Sequence, residues 1–165
     1  MTAGVRAAMV RGMSTPLQRD ALLDAETWLA AALAGAEGVP ERSELHEGVV
    51  VAMAPARFGH DRAIFRIRRA IADQIAGRPC ETTSQSVAVK VASGTVYVPD
   101  ILVVCGPRFD DAVAMVEDAV FVVEVVSPGS AEADMGRKLA GYAALPSFRG
   151  YLVVLPEEGR AILHL

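Results

Sequence analysis

The chain has 165 residues, 52% of them hydrophobic and only 5% aromatic, with a formal net charge of −4. That length suits a single domain with its own core, and that composition makes the core aliphatic. The acidic balance excludes binding to nucleic acid through overall basic charge and leaves only a local basic patch open.

In chain order, residues 1–16 read as a flexible N-terminal arm, and residues 17–165 as one domain. The opening MTAGVRAAMVRGM holds arginines but no continuous apolar stretch, so it does not read as a secretory signal; Met9 and Met13 are alternative starts. A first helix is expected from about Pro16 to Ala34, with Leu22, Leu29 and Leu33 near helical spacing and Gly35 as its stop. After a loop over Ala36–Ser43, the stretch Glu44–Ala54 reads as strand, interrupted at Glu47-Gly48 as a hairpin, with Val49, Val51 and Met53 lining one face. An amphipathic helix follows from about Gly59 to Ala76. Its stripe of Ile64, Ile67, Ile71 and Ile75 lies opposite Arg62, Arg66, Arg69 and Asp73. Strands are expected over Ser86–Val91, Val96–Val104 and Ala119–Val126, the first two joined across Ser93-Gly94. A further helix over Ala131–Leu145, a strand over Tyr151–Leu155, a turn at Glu157–Gly159 and a strand over Ala161–Leu165 complete the order. A chain ending in a strand suggests a trimmed C-terminus. The sum is an α/β fold, a central mixed β-sheet flanked by α-helices.

No apolar run approaches the about 20 residues of a membrane span, so no membrane partner is expected. The two cysteines, Cys80 and Cys105, lack metal or redox spacing. A cytoplasmic, reducing location is expected, with both as buried free thiols rather than a disulfide.

Glu124 is the anomaly. It interrupts the apolar run Phe121-Val122-Val123-Glu124-Val125-Val126, which reads as a strand covered on both faces. An ionised carboxylate there is costly unless it is paired or bound to a metal. Asp100 follows Pro99 at the start of a neighbouring strand. Two acids converging from adjacent strands form an oxygen-rich site that suits Mg²⁺ or Mn²⁺. Taken alone, the two residues leave other readings open: Asp100 as a strand cap, and Glu124 facing outward or paired with an arginine.

The surrounding strings carry more. Val98-Pro99-Asp100-Ile101-Leu102-Val103-Val104, then Glu124-Val125-Val126-Ser127-Pro128, then Asp134, Lys138 and Tyr142 form one pattern. Upstream stand Ser43-Glu44-Leu45-His46-Glu47-Gly48, Met53-Ala54-Pro55 and His60. Together, over roughly residues 20–155, the chain resembles the bacterial restriction endonuclease family of the Uma-two type, within the PD-(D/E)XK nuclease superfamily. The resemblance implies a restriction-endonuclease-like core. It implies Asp100 and Glu124 as ligands of Mg²⁺ or Mn²⁺, with the carbonyl of Val125 as a further ligand. It adds Glu44, which is to be distinguished from Glu47, as an acid reaching the site. It gives His60, otherwise a satisfied half-buried histidine on the isoleucine stripe, a place at the site's edge, and it leaves Tyr142 as a packing residue with contact to substrate as the alternative. Val126 occupies the place where the superfamily often has a lysine. Lys138 is then the replacement, Lys90 an outside candidate, and an i,i+4 pair of Lys138 with Asp134 the plain structural alternative. The segment after the last helix, Leu145-Pro146-Ser147-Phe148-Arg149-Gly150-Tyr151, departs from the family's usual ending.

The function expected from this resemblance is metal-dependent hydrolysis of phosphodiester bonds, with DNA as substrate. The alternatives are a nuclease-fold binding protein with little chemistry, and an oligomeric interaction module, such as a symmetric homodimer. Arg57, Arg62, Arg66, Arg68 and Arg69 make the one basic cluster, open to phosphates or to solvent alone. No aromatic row reads as a platform for single strands.

Overall fold

The computed structural model describes residues 22–107, 110–126 and 132–165. The expected arm over residues 1–16 lies outside them. The elements run α1 (Ala25–Leu33), β1 (Ser43–His46), β2 (Val49–Ala52), α2 (Phe58–Ile75), β3 (Cys80–Thr83), β4 (Ala88–Ala92), β5 (Thr95–Tyr97), β6 (Ile101–Cys105), β7 (Met115–Val116), β8 (Ala119–Val125), α3 (Glu132–Ala143), β9 (Gly150–Leu155) and β10 (Arg160–His164). A short 3₁₀ turn over Pro156–Glu158, closed by Gly159 in the left-handed region, joins the last two strands.

The α/β class is borne out. The strands form two mixed sheets, ordered β2-β1-β5-β4-β7 and β10-β9-β8-β6-β3. The stretch Val96–Val104, read as one strand, is two. Its break is Val98-Pro99-Asp100, where the chain leaves the first sheet after β5 and enters the second at β6. Proline has no N–H to donate to a ladder, which makes this the natural place for the break.

Other corrections have similar local causes. In α1 the buried residues are Ala25 and Trp28, while Leu22 and Leu33 are exposed; the helix is started by Asp24, whose carboxylate accepts from the Thr27 N–H. In β2 the outward face is Val49 and Val51, because Val50 pairs with the fully buried Leu45. Two short strands, β3 and β7, were not expected. Cys80 and Cys105 form a disulfide rather than lying as free thiols, because β3 and β6 pair in a register that sets them opposite each other.

Three apolar clusters hold the layers. Ile64, Ile67 and Ile71 of α2 pack on Ile101, Val123 and Val125. Met135, Leu139 and Tyr142 of α3 join the cluster around Leu102, Val122 and Tyr151. Trp28 packs with Leu45 and Val96 beneath α1. A Cβ at Gly141 would lie 2.9 Å from the Tyr97 ring, so the absence of a side chain lets α3 settle against β5. Among the described residues, no helix is long and apolar enough to cross a membrane.

Candidate active site

The sheet-to-sheet corner positions the acids. β6 and β8 pair antiparallel with Ile101 opposite Val123. Continued past its last pair, that register brings Asp100 level with Glu124 one step on and Pro99 level with Val125 two steps on. The Asp100 carboxylate closes the end of the ladder by accepting the Val125 N–H on Oδ2 at 2.8 Å. Its other oxygen accepts from the Gln85 side-chain amide at 2.8 Å and lies 3.0 Å from His60 Nε2. His60 comes from the first turn of α2, on the same side as the isoleucine stripe, and is half-buried. Asp100 is thus braced by uncharged donors and one imidazole.

The opposite wall is built from charge. Glu44, on β1 of the first sheet, is buried. Its Oε1 accepts from the Val98 N–H at 2.9 Å and from Lys138 Nζ at 2.9 Å. Its Oε2 lies 2.8 Å from His46 Nε2. Lys138 reaches in from α3, one helical turn before Tyr142, and also donates to Glu124 Oε1 at 3.2 Å. Its ammonium stands 5.7 Å from the Tyr97 ring centroid.

Burial is the largest influence on Glu124 and pushes its pKa up to about 8. Lys138 works against that rise, and the charges of Asp100 and Glu44 add to it. Burial also disfavours the Lys138 ammonium, but the charges of Glu124 and Glu44 outweigh it and hold the amine protonated far above its usual range. Burial, then the charge of Glu124 and Glu44, keeps the Tyr142 phenol protonated.

Of the residues anticipated, Asp100, Glu124, Glu44, Lys138, Val125 and His60 come together here. Lys138 is buried against two carboxylates rather than lying on a solvated helix face. Val126 packs against the apolar core, so no side chain from β8 itself supplies the cation. Tyr142 is fully buried and edge-on to Tyr97 at 5.4 Å between ring centroids, a packing role behind the lysine. Glu47 is in the exposed β1–β2 turn. Lys90 is bound elsewhere, to Glu26 and Glu117. Two participants went unforeseen. His46 could have been read from its i,i+2 spacing with Glu44, which puts both on one strand face. Gln85 carried no signal, being a loop residue whose φ of 53° and distant contacts only the folded chain reveals.

The donor set fits a hard divalent cation. Residues of β8 bond alternately to β9 and β6. The Val126 N–H donates to the Val154 carbonyl, so Val125 directs its own N–H and carbonyl away from β9, toward Asp100. Pro99, opposite, has no N–H to give that carbonyl. Two carboxylates and this carbonyl make an all-oxygen set beside a glutamate whose charge is unfavourable without a cation. Among the described residues, no three His, Cys, Asp or Glu side chains are grouped to hold a metal.

Residues 29–164 match the model of the Uma2 family, described as "Putative restriction endonuclease". Two uncharacterized proteins of Synechocystis sp. are each 28% identical to the chain, over 69% and 72% of it. The chain spans 60% of the first relative and 68% of the second. A crystal structure from Anabaena variabilis, described as a "putative nuclease belonging to DUF820", matches with a TM-score of 0.62 at 15% identity, covering 74% of this chain and 70% of that one. That likeness concerns the fold.

Proposed function

The chain belongs to the Uma2 family, and from that premise we propose that it is a metal-dependent endonuclease hydrolysing phosphodiester bonds in DNA. The observation that carries this reading is Lys138 Nζ at 3.2 Å from Glu124, across the corner from Asp100. It restores, from a helix, the cation that Val126 does not provide.

In this reading Asp100, Glu124 and the Val125 carbonyl hold Mg²⁺ or Mn²⁺. When bound, the ion supplies a lowered pKa for its water and charge neutralisation for the phosphate. Lys138 orients the attacking water or meets charge developing on the phosphate oxygens. Glu44 keeps Lys138 in place and is itself held by the Val98 N–H and His46. Gln85 and His60 fix the Asp100 carboxylate, as outer groups do for ligands generally.

The test is cleavage of single- and double-stranded DNA with Mn²⁺ or Mg²⁺, alongside calorimetric metal titration. Asp100→Ala and Glu124→Ala are each expected to abolish cleavage, and Asp100→Ala to abolish metal binding. Cleavage surviving both substitutions, or no metal binding by the parent chain, sinks the reading. One observation favours a second reading, a binding protein with little chemistry: the oxygens of Glu44 and Asp100 already have partners within the protein. Metal-independent DNA binding without cleavage would select it.

A further inference from the structure

The outward face of α2 is a surface of its own. Phe58, Arg62, Phe65 and Arg69 follow the i, i+4, i+7, i+11 series, so they form one stripe, with Arg66 alongside. The isoleucines that anchor α2 lie on the opposite side. Phe58 is 74% exposed and Phe65 is 64% exposed. These are two of the five phenylalanines in a chain that is only 5% aromatic, so leaving both in water on one stripe is not a default of its composition. The Arg62 guanidinium stands 4.9 Å from the Phe58 ring centroid. Among the described residues, Arg62, Arg66 and Arg69 are in no ion pair, unlike Arg160, which is paired with Glu158. Arg68, off the stripe, instead bonds the Thr82 carbonyl and clamps α2 to β3.

We infer that this face binds single-stranded DNA, with bases stacking on Phe58 and Phe65 and phosphates meeting Arg62, Arg66 and Arg69. Aromatic rings interleaved with cations are what a flexible polyanion with stackable bases requires. The stripe spans about 16 Å, eleven residues at the helical rise. Its Phe58 end is two residues from His60, which contacts Asp100. A strand lying along α2 would therefore reach the carboxylates by turning over the helix N-terminus. The inference rests on the nuclease reading for its choice of DNA. The rings alone would also suit an anionic membrane, and the exposed face a second copy of the chain. Continuity with the site favours the nucleic acid.

The experiment is fluorescence anisotropy with a labelled oligothymidine of about 16 nucleotides, the upper site size for one small domain. The full chain is used in EDTA, so that cleavage cannot contribute. Phe58→Ala with Phe65→Ala is expected to weaken binding at least tenfold, about one stacked base lost. Trp at both positions is expected to restore it. Replacing Arg62, Arg66 and Arg69 by Gln is expected to lower the log–log salt slope by about 2. All five side chains are exposed, and unchanged circular-dichroism melting checks the fold. Equal affinity of the double Phe variant overturns the inference. So does tighter binding of a duplex, binding to phosphatidylserine vesicles but not to the oligomer, or loss of dimer on light scattering with DNA binding intact. The nuclease reading fails separately: Phe-dependent binding without cleavage in Mn²⁺ sinks that reading alone, and Asp100-dependent cleavage with Phe-independent binding sinks this one alone.

Discussion

The two acids of the sheet corner stand across from each other yet are held in opposite ways. Asp100 is surrounded by donors that carry little or no charge: an amide, a backbone N–H and an imidazole. Glu124 is held by one ammonium, with the acids Glu44 and Asp100 both raising its pKa. The first arrangement stabilises a carboxylate by geometry and loses only part of its support when any one donor is removed. The second depends on a single cation serving two buried acids. Residues of similar type thus have different vulnerabilities, and a divalent ion between them would relieve only the Glu124 side.

The largest effect is expected at Lys138. Lys138→Met leaves Glu44 and Glu124 buried without their shared cation, and breaking such a pair costs about 3–5 kcal/mol. Urea unfolding at about pH 9, where Glu124 with its pKa of about 8 is ionised in the parent chain, measures it. Adding Glu124→Gln is expected to recover part of the loss, since one of the two orphaned charges is then gone. A loss below about 1 kcal/mol would mean that the charged wall is no more fragile than an exposed ion pair.

A second prediction concerns the far end of the strand that begins beside Asp100. β6 ends at Cys105, tied to Cys80 on β3. Replacing both cysteines by serine is expected to cost about 2–4 kcal/mol, the usual range for closing such a loop. Thermal melts with and without a reductant check it, and only the parent should respond to the reductant. An equal response in the variant would place the reductant's effect elsewhere.

The third prediction follows from Glu124 itself. Its folded pKa, about 8, lies above the ordinary glutamate value of 4.5. The folded state therefore binds more protons than the unfolded one between those values. The stability this contributes is fully present below about pH 4.5 and is lost as pH rises toward 8, the reverse of a salt-bridged carboxylate. Metal-free protein should lose stability steadily over that window. Glu124→Gln should flatten the profile. Mg²⁺ should raise the melting temperature more at pH 8 than at pH 6, because at pH 6 it must displace a proton. A profile unchanged by Glu124→Gln would assign the titration to another group.

Much of this was legible in the sequence, and the gaps have physical causes. The stripe Ile64–Ile75 and the buried run around Glu124 follow from period and composition, and both were placed correctly. The family read from the strings around Asp100 and Glu124 is the one whose model matches. Local patterns, however, say which face is apolar but not which strand lies beside which. Hence the split at Pro99 into two sheets and the short β3 and β7 were not expected, and Cys80 and Cys105 were read as free thiols, since each is decided by partners far along the chain. The exposed rings of Phe58 and Phe65 were missed for a related reason. They are spaced too widely in sequence to read as a row, and only the helix brings them onto the arginine face.

The smallest effect is the sharpest probe of the uncharged wall. Gln85→Ala removes one donor to Asp100 and leaves His60 and the Val125 N–H in place, so the expected cost is about 1 kcal/mol. Backbone conformation adds a second comparison at the same position. Gln85 has φ of 53°, a left-handed geometry that disfavours any residue with a Cβ. Gln85→Gly loses the same amide but relieves that geometry, so it should be the more stable of the two variants. If Gln85 orients Asp100, both should bind Mn²⁺ about 10-fold more weakly, the lower end for loss of a group that positions a ligand. Stability would then separate Ala from Gly while metal affinity would not. A metal affinity that tracks stability instead would mean that Gln85 merely holds its loop, and that His60 and the Val125 N–H suffice to fix the carboxylate.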